Sequence, residues 1–230
     1  MVRDYLAGPG GKPLVVYGPS GSGNTYVVAK AAAEEAERAN TDARCMAVRF
    51  LGTSPQSSNA LDLLASLYAQ LCVISRGRAA YTNGGEAAGD SLPECAISFE
   101  ELRKALKAAL KTWKWGPLTI SLDSVDQLDD SNGGRRLDWL PLEHLSEQIR
   151  MVISTLPDEL SPPDKRPFRC LSQMERRLVP SSEADGRKRN AAGESRSQRE
   201  HEKLFVRVEP LKDAADLLEH LLKLQGRCAT

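Results

Sequence analysis

Short apolar runs alternate along this chain with longer segments whose apolar residues recur every three or four positions. The first run is Leu14 to Tyr17, and the segment from Thr25 to Arg38 sets valines and alanines at helical spacing against a glutamate-rich face. Such a run is typical of a buried strand, and such spacing is typical of an amphipathic helix. After a lead-in over residues 1–12, the sequence therefore predicts a strand, a glycine-rich loop and a helix.

The same alternation continues along most of the chain. Four further strands are predicted, at Ala43 to Leu51, Pro117 to Leu122, Arg150 to Ser154 and Leu204 to Val208. Further helices are predicted after the capping residues Asn59 and Ser98, and over Leu211 to Leu224. Five strands alternating with helices are typical of an α/β fold in which helices cover both faces of a parallel sheet.

The periodic pattern breaks down between Pro157 and Lys203, where charged residues dominate and aromatic residues almost vanish. A segment that cannot bury enough apolar surface stays disordered, so we predict a disordered insertion over residues 158–203. The glycine-rich stretch from Gly77 to Pro93 predicts a polar link. The domain assignment is thus a core over residues 13–157, the insertion, and a last strand and helix of the same domain over residues 204–230.

Composition and charge favour one globular domain. The chain has 230 residues, of which 41% are hydrophobic, and its 31 Lys and Arg balance its 31 Asp and Glu. Because no net charge draws the protein to nucleic acid or to a membrane, we expect neither as a partner. The five cysteines form no C-x-x-C pair, and no apolar run has the length of a signal peptide core or a membrane span, which favours a cytoplasmic protein with free thiols.

The loop after the first strand carries the strongest chemical signal. The stretch Gly18-Pro-Ser-Gly-Ser-Gly-Asn-Thr25 matches the phosphate-binding pattern G-x-x-x-x-G-K-[ST] at every position except one. Glycines let backbone N–H groups approach phosphate closely, and the following helix directs its positive end at the anion. We therefore predict nucleotide contacts from Gly18, Pro19, Ser20, Gly21, Ser22, Gly23, Asn24 and Thr25, with the Thr25 hydroxyl also on Mg²⁺. The alternative is a glycine-rich turn that only connects strand and helix.

Polar residues at the ends of two later strands complete the candidate site. Asp123 ends the third strand, Asp126 follows three residues later, and Ser154 lies at the end of the fourth strand. Because ligands of parallel sheets gather at the carboxyl ends of the strands, Asp123 is predicted to bind Mg²⁺ beside the loop. Asp126 is the candidate catalytic base for the attacking water, and Ser154 is the candidate contact to the γ-phosphate. The alternatives are an acidic turn and an ordinary hydroxyl-bearing strand end.

The single departure from the loop pattern is Asn24, which stands where the pattern has lysine. A hydrogen bond to a charged group contributes about 1.5–3 kcal/mol, against about 1 kcal/mol for a neutral one. The exchange is therefore expected to weaken triphosphate binding about tenfold, and to weaken hydrolysis more. An active enzyme would need an arginine brought in by folding, for which Arg49, Arg135 and Arg136 are the candidates.

These motifs resemble the NACHT-type nucleotide-binding domain of the STAND class of P-loop NTPases, in the branch joined to WD or tetratricopeptide repeats. The resemblance rests on residues 13–25, RFLGTSPQSS at 49–58, LTISLDSVDQL at 118–128, RRLDWLP at 135–141 and VISTLP at 152–157. It implies a three-layer P-loop sandwich with the sheet order 5-1-4-3-2, a Walker A loop at 18–25, a Walker B ligand at Asp123, and ATP or ADP with Mg²⁺ as cofactors. The chain departs from the family at Asn24, at Gln127 and in lacking an arginine near its fourth strand.

The resemblance also bears on function and partners. It implies a signalling module whose neighbouring repeat and effector regions bind other proteins, so that we expect the chain, which ends at Thr230, to be a fragment or a short version. The first hypothesis is a nucleotide-binding STAND module with weak or lost hydrolysis. The alternatives are an active NTPase switch rescued by an arginine from elsewhere, and a protein-interaction scaffold that binds no nucleotide.

Overall fold

A parallel β-sheet forms the centre of the protein. The computed structural model describes residues 1–42, 44–82, 92, 98–158, 169–179 and 196–209. The strands are β1 (Leu14–Tyr17), β2 (Cys45–Phe50), β3 (Leu118–Asp123), β4 (Ile149–Thr155) and β5 (Phe205–Arg207). The helices are α1 (Val2–Ala7), α2 (Asn24–Asp42), α3 (Ala60–Thr82), α4 (Phe99–Thr112), α5 (Cys170–Leu178) and α6 (Arg196–Leu204). Short 3₁₀ turns lie at Gln56–Ser58, Val125–Gln127 and Ser131–Arg136.

The strand order is β2-β3-β4-β1-β5, and every neighbouring pair is parallel. This is the predicted order 5-1-4-3-2, so the predicted fold class is confirmed. Within the sheet Tyr17, the last residue of β1, lies beside Thr155 of β4 and beside Arg207 of β5. The carboxyl ends of these strands therefore meet at one edge, where ligands of parallel sheets gather.

Apolar residues cover both faces of the sheet. The larger core combines side chains of α3, α4 and α5 with alternate strand residues such as Val15, Ile120 and Ile153. The smaller core joins α1 and α2 to the opposite face through residues such as Leu6, Val16, Val28 and Val152. Neighbouring positions of β1 thus point into different cores, which explains why the strand is apolar throughout.

Two predicted helix caps form as expected. The Asn59 side-chain oxygen accepts hydrogen bonds from the backbone N–H groups of Leu61 at 2.9 Å and Asp62 at 3.2 Å. The Ser98 hydroxyl oxygen accepts one from the backbone N–H of Glu101 at 3.4 Å and donates to the Glu101 carboxylate. Each cap satisfies N–H groups that the helix itself leaves unpaired, which contributes about 1 kcal/mol.

Helices replace irregular structure in two segments where the prediction differs. Part of the lead-in is α1, which Tyr5 fastens to the sheet by accepting a hydrogen bond from the Met151 N–H at 2.8 Å. Burial raises the pKa of the Tyr5 hydroxyl to about 12. Helix α3 continues past Gly77 to Thr82, because Ala79 packs in the interior and offsets the low helical propensity of glycine.

The predicted disordered insertion also contains two helices, α5 and α6. Four of the nine residues of α5 are buried, namely Cys170, Leu171, Met174 and Leu178, so this prediction is wrong for residues 170–178 and 196–203. Helix α5 is short and lies among charged residues, so the helical spacing of its apolar residues was not recognised in the sequence. Residues 159–168 and 180–195 and the predicted helix at Leu211 to Leu224 lie outside the described residues. None of the described helices is long and apolar enough to cross a membrane.

Candidate nucleotide-binding site

The loop between β1 and α2 has the open backbone that a phosphate cradle needs. Gly21 and Gly23 adopt φ values of +80° and +101°, and a Cβ atom added at either position would meet nothing within 4 Å. Glycine is needed at both positions for its left-handed backbone, and the space over the loop is free. Helix α2 begins at Asn24, so the positive end of its dipole faces this space.

Asn24 bonds back onto the loop. Its amide nitrogen donates to the Gly18 carbonyl at 2.9 Å, and its amide oxygen accepts from the Ser22 hydroxyl at 3.3 Å. Ser22 also closes a turn by donating its backbone N–H to the Pro19 carbonyl at 3.0 Å. The Asn24 side chain therefore stabilises the loop itself, where a lysine at this position would extend a cation toward phosphate.

Gly18 is required by close packing at the start of the loop. A Cβ atom at this position would lie 2.2 Å from the Val208 carbonyl oxygen and 2.6 Å from the Ser22 hydroxyl oxygen. The neighbouring Val208 N–H donates to the Tyr17 carbonyl at 2.7 Å, which holds the end of β5 against β1. The phosphate loop therefore begins in direct contact with the chain that leaves β5.

Asp123 is hydrogen-bonded to two other predicted site residues. One carboxylate oxygen accepts from the Thr25 hydroxyl at 2.8 Å, and the other accepts from the Ser154 hydroxyl. The Ser154 oxygen in turn accepts from the Ser124 N–H at 2.8 Å. The Asp123 side chain is only 3% exposed. The structure thus brings Thr25, Asp123 and Ser154 together at the edge where β3 and β4 end.

Asp126 lies in the turn after β3, where Ser124 has a left-handed backbone with φ +60°. One Asp126 oxygen accepts from the Leu156 N–H at 3.1 Å, and the other accepts from the Gln127 amide at 2.5 Å. The side chain is 5% exposed. Both oxygens are engaged within the protein, so Asp126 ties the turn after β3 to the segment that follows β4.

The three arginines predicted as candidates to replace the missing lysine lie in segments other than the phosphate loop. Arg49 donates to the carbonyls of Val48 and Ser66, at 2.8 and 2.9 Å. Arg135 donates to the Leu128 carbonyl and pairs with the Asp130 carboxylate at 3.1 Å. Arg136 is exposed and lines a cleft formed with α4 and α5.

The sequence-based prediction overlooked Arg207. It lies in register with Tyr17, the residue before the loop, and pairs with Glu209 at 2.9 Å. The signal was available, because the predicted strand order puts the fifth strand beside the first. Arg207 is therefore the arginine whose backbone lies beside the start of the phosphate loop.

The donors at this edge fit a magnesium ion that shares its coordination with phosphate. Within the described ranges, no group of three or more His, Cys, Asp or Glu side chains is placed to hold a metal. Mg²⁺ is usually bound by one or two carboxylates together with substrate phosphates and water. The Thr25 hydroxyl and the Asp123 carboxylate supply a donor set of that kind.

The match to a family model decides the ancestry of the domain. The model of the nephrocystin 3 N-terminal family matches residues 2–155, which include the phosphate loop, Asp123 and Ser154. The chain belongs to this family. The match ends at the last residue of β4, so the family model covers the first four strands of the sheet.

Curated relatives confirm the resemblance to NACHT proteins. The chain is 32% identical over 152 residues to mouse "NACHT and WD repeat domain-containing protein 2" and 30% identical over 147 residues to human "NACHT domain- and WD repeat-containing protein 1". These alignments cover 64% and 62% of this chain and 8% of each relative. The aligned part of the chain thus spans only a small part of the length of these relatives.

Two solved structures from Aeropyrum pernix have a distant likeness to the chain. The ORC1 protein in complex with DNA has a TM-score of 0.38 at 20% identity, over 72% of this chain and 39% of that one. The ORC2 protein in ADPNP-ADP complexes has a TM-score of 0.44 at 12% identity, over 90% of this chain and 45% of that one. Identities this low transfer no function.

Proposed function

We propose that the chain is a nucleotide-binding module that holds ATP or ADP with Mg²⁺ at residues 18–25 and hydrolyses ATP weakly or not at all. The observation that carries the proposal is the 2.8 Å contact between the Thr25 hydroxyl and the Asp123 carboxylate, directly beside the open glycine loop. In P-loop proteins these two groups hold the metal that bridges the phosphates. Membership of a family with NACHT relatives supports the same function.

Residues of the chain would have separate roles in binding the nucleotide and in its hydrolysis. Gly21, Gly23 and the first turn of α2 present backbone N–H groups to the phosphates, and Ser154 orients Asp123 by donating to it. The Mg²⁺ ion would neutralise phosphate charge. Asp126 remains the candidate base. Each of its oxygens already accepts one hydrogen bond, from Leu156 or Gln127, and has a further lone pair with which it could accept a proton from water.

Weak hydrolysis is expected because Asn24 supplies no charge where negative charge develops. Its amide is also committed to the Gly18 carbonyl. Electrostatic stabilisation of the transition state is usually the largest catalytic contribution, so loss of a cation affects turnover more than binding. The module would then report nucleotide occupancy to neighbouring regions of a cytoplasmic signalling protein, with partner proteins bound by those regions.

The test compares the native chain with Asn24→Lys. Calorimetry with Mg·ATP and Mg·ADP should show weak binding by the native chain and binding about tenfold tighter in the variant, which is about 1.4 kcal/mol. Thr112→Lys, which adds the same charge on the exposed end of α4, is the matched control and should leave affinity unchanged. Absence of nucleotide binding in both the native chain and Asn24→Lys would exclude the proposal in favour of a scaffold.

A second candidate function is an active NTPase in which Arg207 replaces the missing lysine. Its position beside Tyr17 favours it over the other arginines, because breaking the Glu209 ion pair would free a guanidinium next to the loop. Phosphate release assays separate the two functions. Ordinary magnesium-dependent turnover that disappears in Arg207→Gln would establish the active enzyme and contradict weak hydrolysis.

A further inference from the structure

A second concave surface lies on the face of the sheet covered by α4 and α5. It is a cleft of about 770 Å³ lined by Lys107, Arg136, Asp138, Arg169, Ser172, Gln173, Arg176 and Arg177. We call these residues the basic cleft. Five of the eight carry positive charge and one carries negative charge, although the whole chain has a formal net charge of zero. None of the eight belongs to the phosphate loop, to β3 or to β4.

Helix α5 concentrates this charge by its periodicity. Ser172, Gln173 and Arg176 lie on one face of the helix, and the opposite face is buried in the core. Arg169 immediately precedes the first residue of the helix. The first turn is capped by Asp158, whose carboxylate accepts the N–H groups of Leu171 at 3.2 Å and Ser172 at 3.0 Å. The helix therefore presents its polar side chains, not its N-terminus, to the cleft.

Arg177 fixes the wall of the cleft and is fully engaged. Its guanidinium donates to the Leu137 and Leu140 carbonyls, both at 2.6 Å, and to the Glu143 carboxylate. These bonds hold α5 against the segment that supplies Arg136 and Asp138. The cleft is thus a built surface, in which one arginine anchors two elements and leaves the other cations to face solvent.

Four cations of the cleft lack a counter-charge of their own. Across the part of the chain that the structure describes, Lys107, Arg136, Arg169 and Arg176 form no ion pair or side-chain hydrogen bond, while Arg103, Arg135 and Arg177 are each paired. The surroundings lower the pKa of Lys107, mainly through burial and then through the positive charges of Arg103 and Arg177, against the opposing effect of Asp138 and Glu143. The cleft is therefore a region of concentrated positive potential.

We propose that the basic cleft binds a compact polyphosphate anion. Guanidinium groups are planar donors that match phosphate oxygens in pairs, and three unpaired ones converge here with a lysine. A volume of this size admits a small multiply phosphorylated ligand. Among the described residues that line the cleft none is aromatic, and stacking on aromatic side chains is how proteins usually hold single-stranded nucleic acid bases. The shared chemistry is clustered phosphates, carried by a free polyphosphate or by a phosphoinositide headgroup.

The test is calorimetric titration with inorganic tripolyphosphate at low and physiological salt. The charge-removing variant Arg136→Gln/Arg176→Gln should bind about tenfold more weakly than the native chain. The matched control Lys104→Gln/Lys111→Gln removes two exposed charges from α4 outside the cleft and should change the affinity by less than about twofold. Equal losses in both double variants, or no loss in the cleft variant, would overturn the proposal.

A phosphate-loop variant separates the two sites. Gly23→Ala places a side chain on a left-handed backbone and distorts the phosphate loop, so tripolyphosphate binding that survives it belongs to the cleft. Conversely, the cleft variant should retain the Mg·ATP affinity of the native chain. If the native chain bound tripolyphosphate but no nucleotide, the proposed function would be refuted, whereas the proposal for the basic cleft would stand.

Vesicles distinguish the two sources of the ligand. Co-sedimentation with phosphatidylcholine vesicles that contain phosphatidylinositol 4,5-bisphosphate, but not with phosphatidylcholine alone, would assign a lipid headgroup to the same cleft if the cleft variant loses it. Tripolyphosphate binding without vesicle binding would assign a free polyphosphate. Cleft-dependent binding of oligouridylate at much lower concentration than tripolyphosphate would overturn the small ligand in favour of an RNA backbone.

Discussion

The sheet edge beside the phosphate loop and the basic cleft differ in whether their polar side chains are bonded to other parts of the protein. At the loop edge Asn24, Thr25, Asp123, Asp126 and Ser154 all bond to other parts of the protein. In the cleft, among the described residues, four cationic side chains bond to none. In the first region the polar side chains are satisfied without a ligand. The second retains mutual repulsion that a ligand would relieve, so removing a bonded side chain should destabilise the fold, whereas removing an unpaired cation of the cleft should hardly change its stability.

The largest effect is expected at the start of the loop, where Gly18→Ala should destabilise the fold by about 2–3 kcal/mol. The added Cβ would collide with the backbone carbonyl of Val208, which cannot move aside as a flexible side chain would. Urea unfolding measures the change. Gly77→Ala in α3 is the matched control, because its Cβ meets nothing and alanine favours a helix by about 0.5–1 kcal/mol. A neutral Gly18→Ala would show that β5 does not press on the loop.

The next effect compares two adjacent arginines of the cleft. Arg177→Met should lower the free energy of unfolding by about 2 kcal/mol, because it removes the charged donor from the Leu137 and Leu140 carbonyls and leaves Glu143 without its partner. The two carbonyls keep only neutral backbone N–H donors. Arg176→Met should change the free energy of unfolding by less than about 0.5 kcal/mol, since Arg176 is exposed. Denaturation of both variants checks the pair. Equal losses in the free energy of unfolding would mean that Arg176 also stabilises the fold, so that it would not be an unengaged cation available to a ligand.

Asn24→Ala should cost about 1 kcal/mol, the contribution of an ordinary neutral hydrogen bond. The substitution removes the donor to the Gly18 carbonyl and the acceptor of the Ser22 hydroxyl. Gln56→Ala, in an exposed turn outside the loop, serves as control and should be neutral. An unchanged midpoint for Asn24→Ala would mean that the amide does not stabilise the ligand-free loop.

The smallest effect is a pH dependence in the wall of the cleft. Arg177 holds the pKa of the Glu143 carboxyl below its ordinary value of 4.5. Because the folded-state pKa is the lower one, the pair stabilises the protein above pH 4.5 and this contribution is lost as the pH falls through the folded-state pKa. Thermal unfolding of the native chain and Glu143→Gln should therefore differ at neutral pH and converge in acid. A constant difference across this range would contradict the pairing.

The sheet was largely predictable from the sequence, because strands buried on both faces are apolar without interruption. Val15 and Val16 enter different cores, and that requirement is visible in the run from Leu14 to Tyr17. The caps at Asn59 and Ser98 were predictable for a similar reason, since the donors they satisfy lie within three residues. Helix α5 was missed because it is only nine residues long and lies within a charged, proline-containing segment, although its four buried residues recur at helical spacing.

The candidate site was predictable in part. Proximity of Thr25, Asp123 and Ser154 follows from the convergence of parallel strands. The hydrogen bond from the Asn24 amide to the Gly18 carbonyl depends on the exact backbone conformation of the loop, and residue spacing in the sequence does not predict that conformation. The basic cleft draws its cations from α4, from the turn before Leu137, and from α5 with the residue that precedes it. The turn and α5 are joined by side-chain bonds such as those of Arg177, which no sequence pattern reveals.

The hydrogen bond from Ser154 to Asp123 connects the candidate nucleotide site to the basic cleft through a short segment of chain. Ser154 lies four residues before Asp158, and Asp158 caps α5, whose face lines the cleft. Four residues span at most about 14 Å when fully extended. Leu156, midway along this stretch, is held in addition by Asp126. A ligand that drew Asp123 toward the loop would therefore pull on a short segment that is bonded at two points. The far end of that segment is Asp158, which caps the helix that carries Arg176.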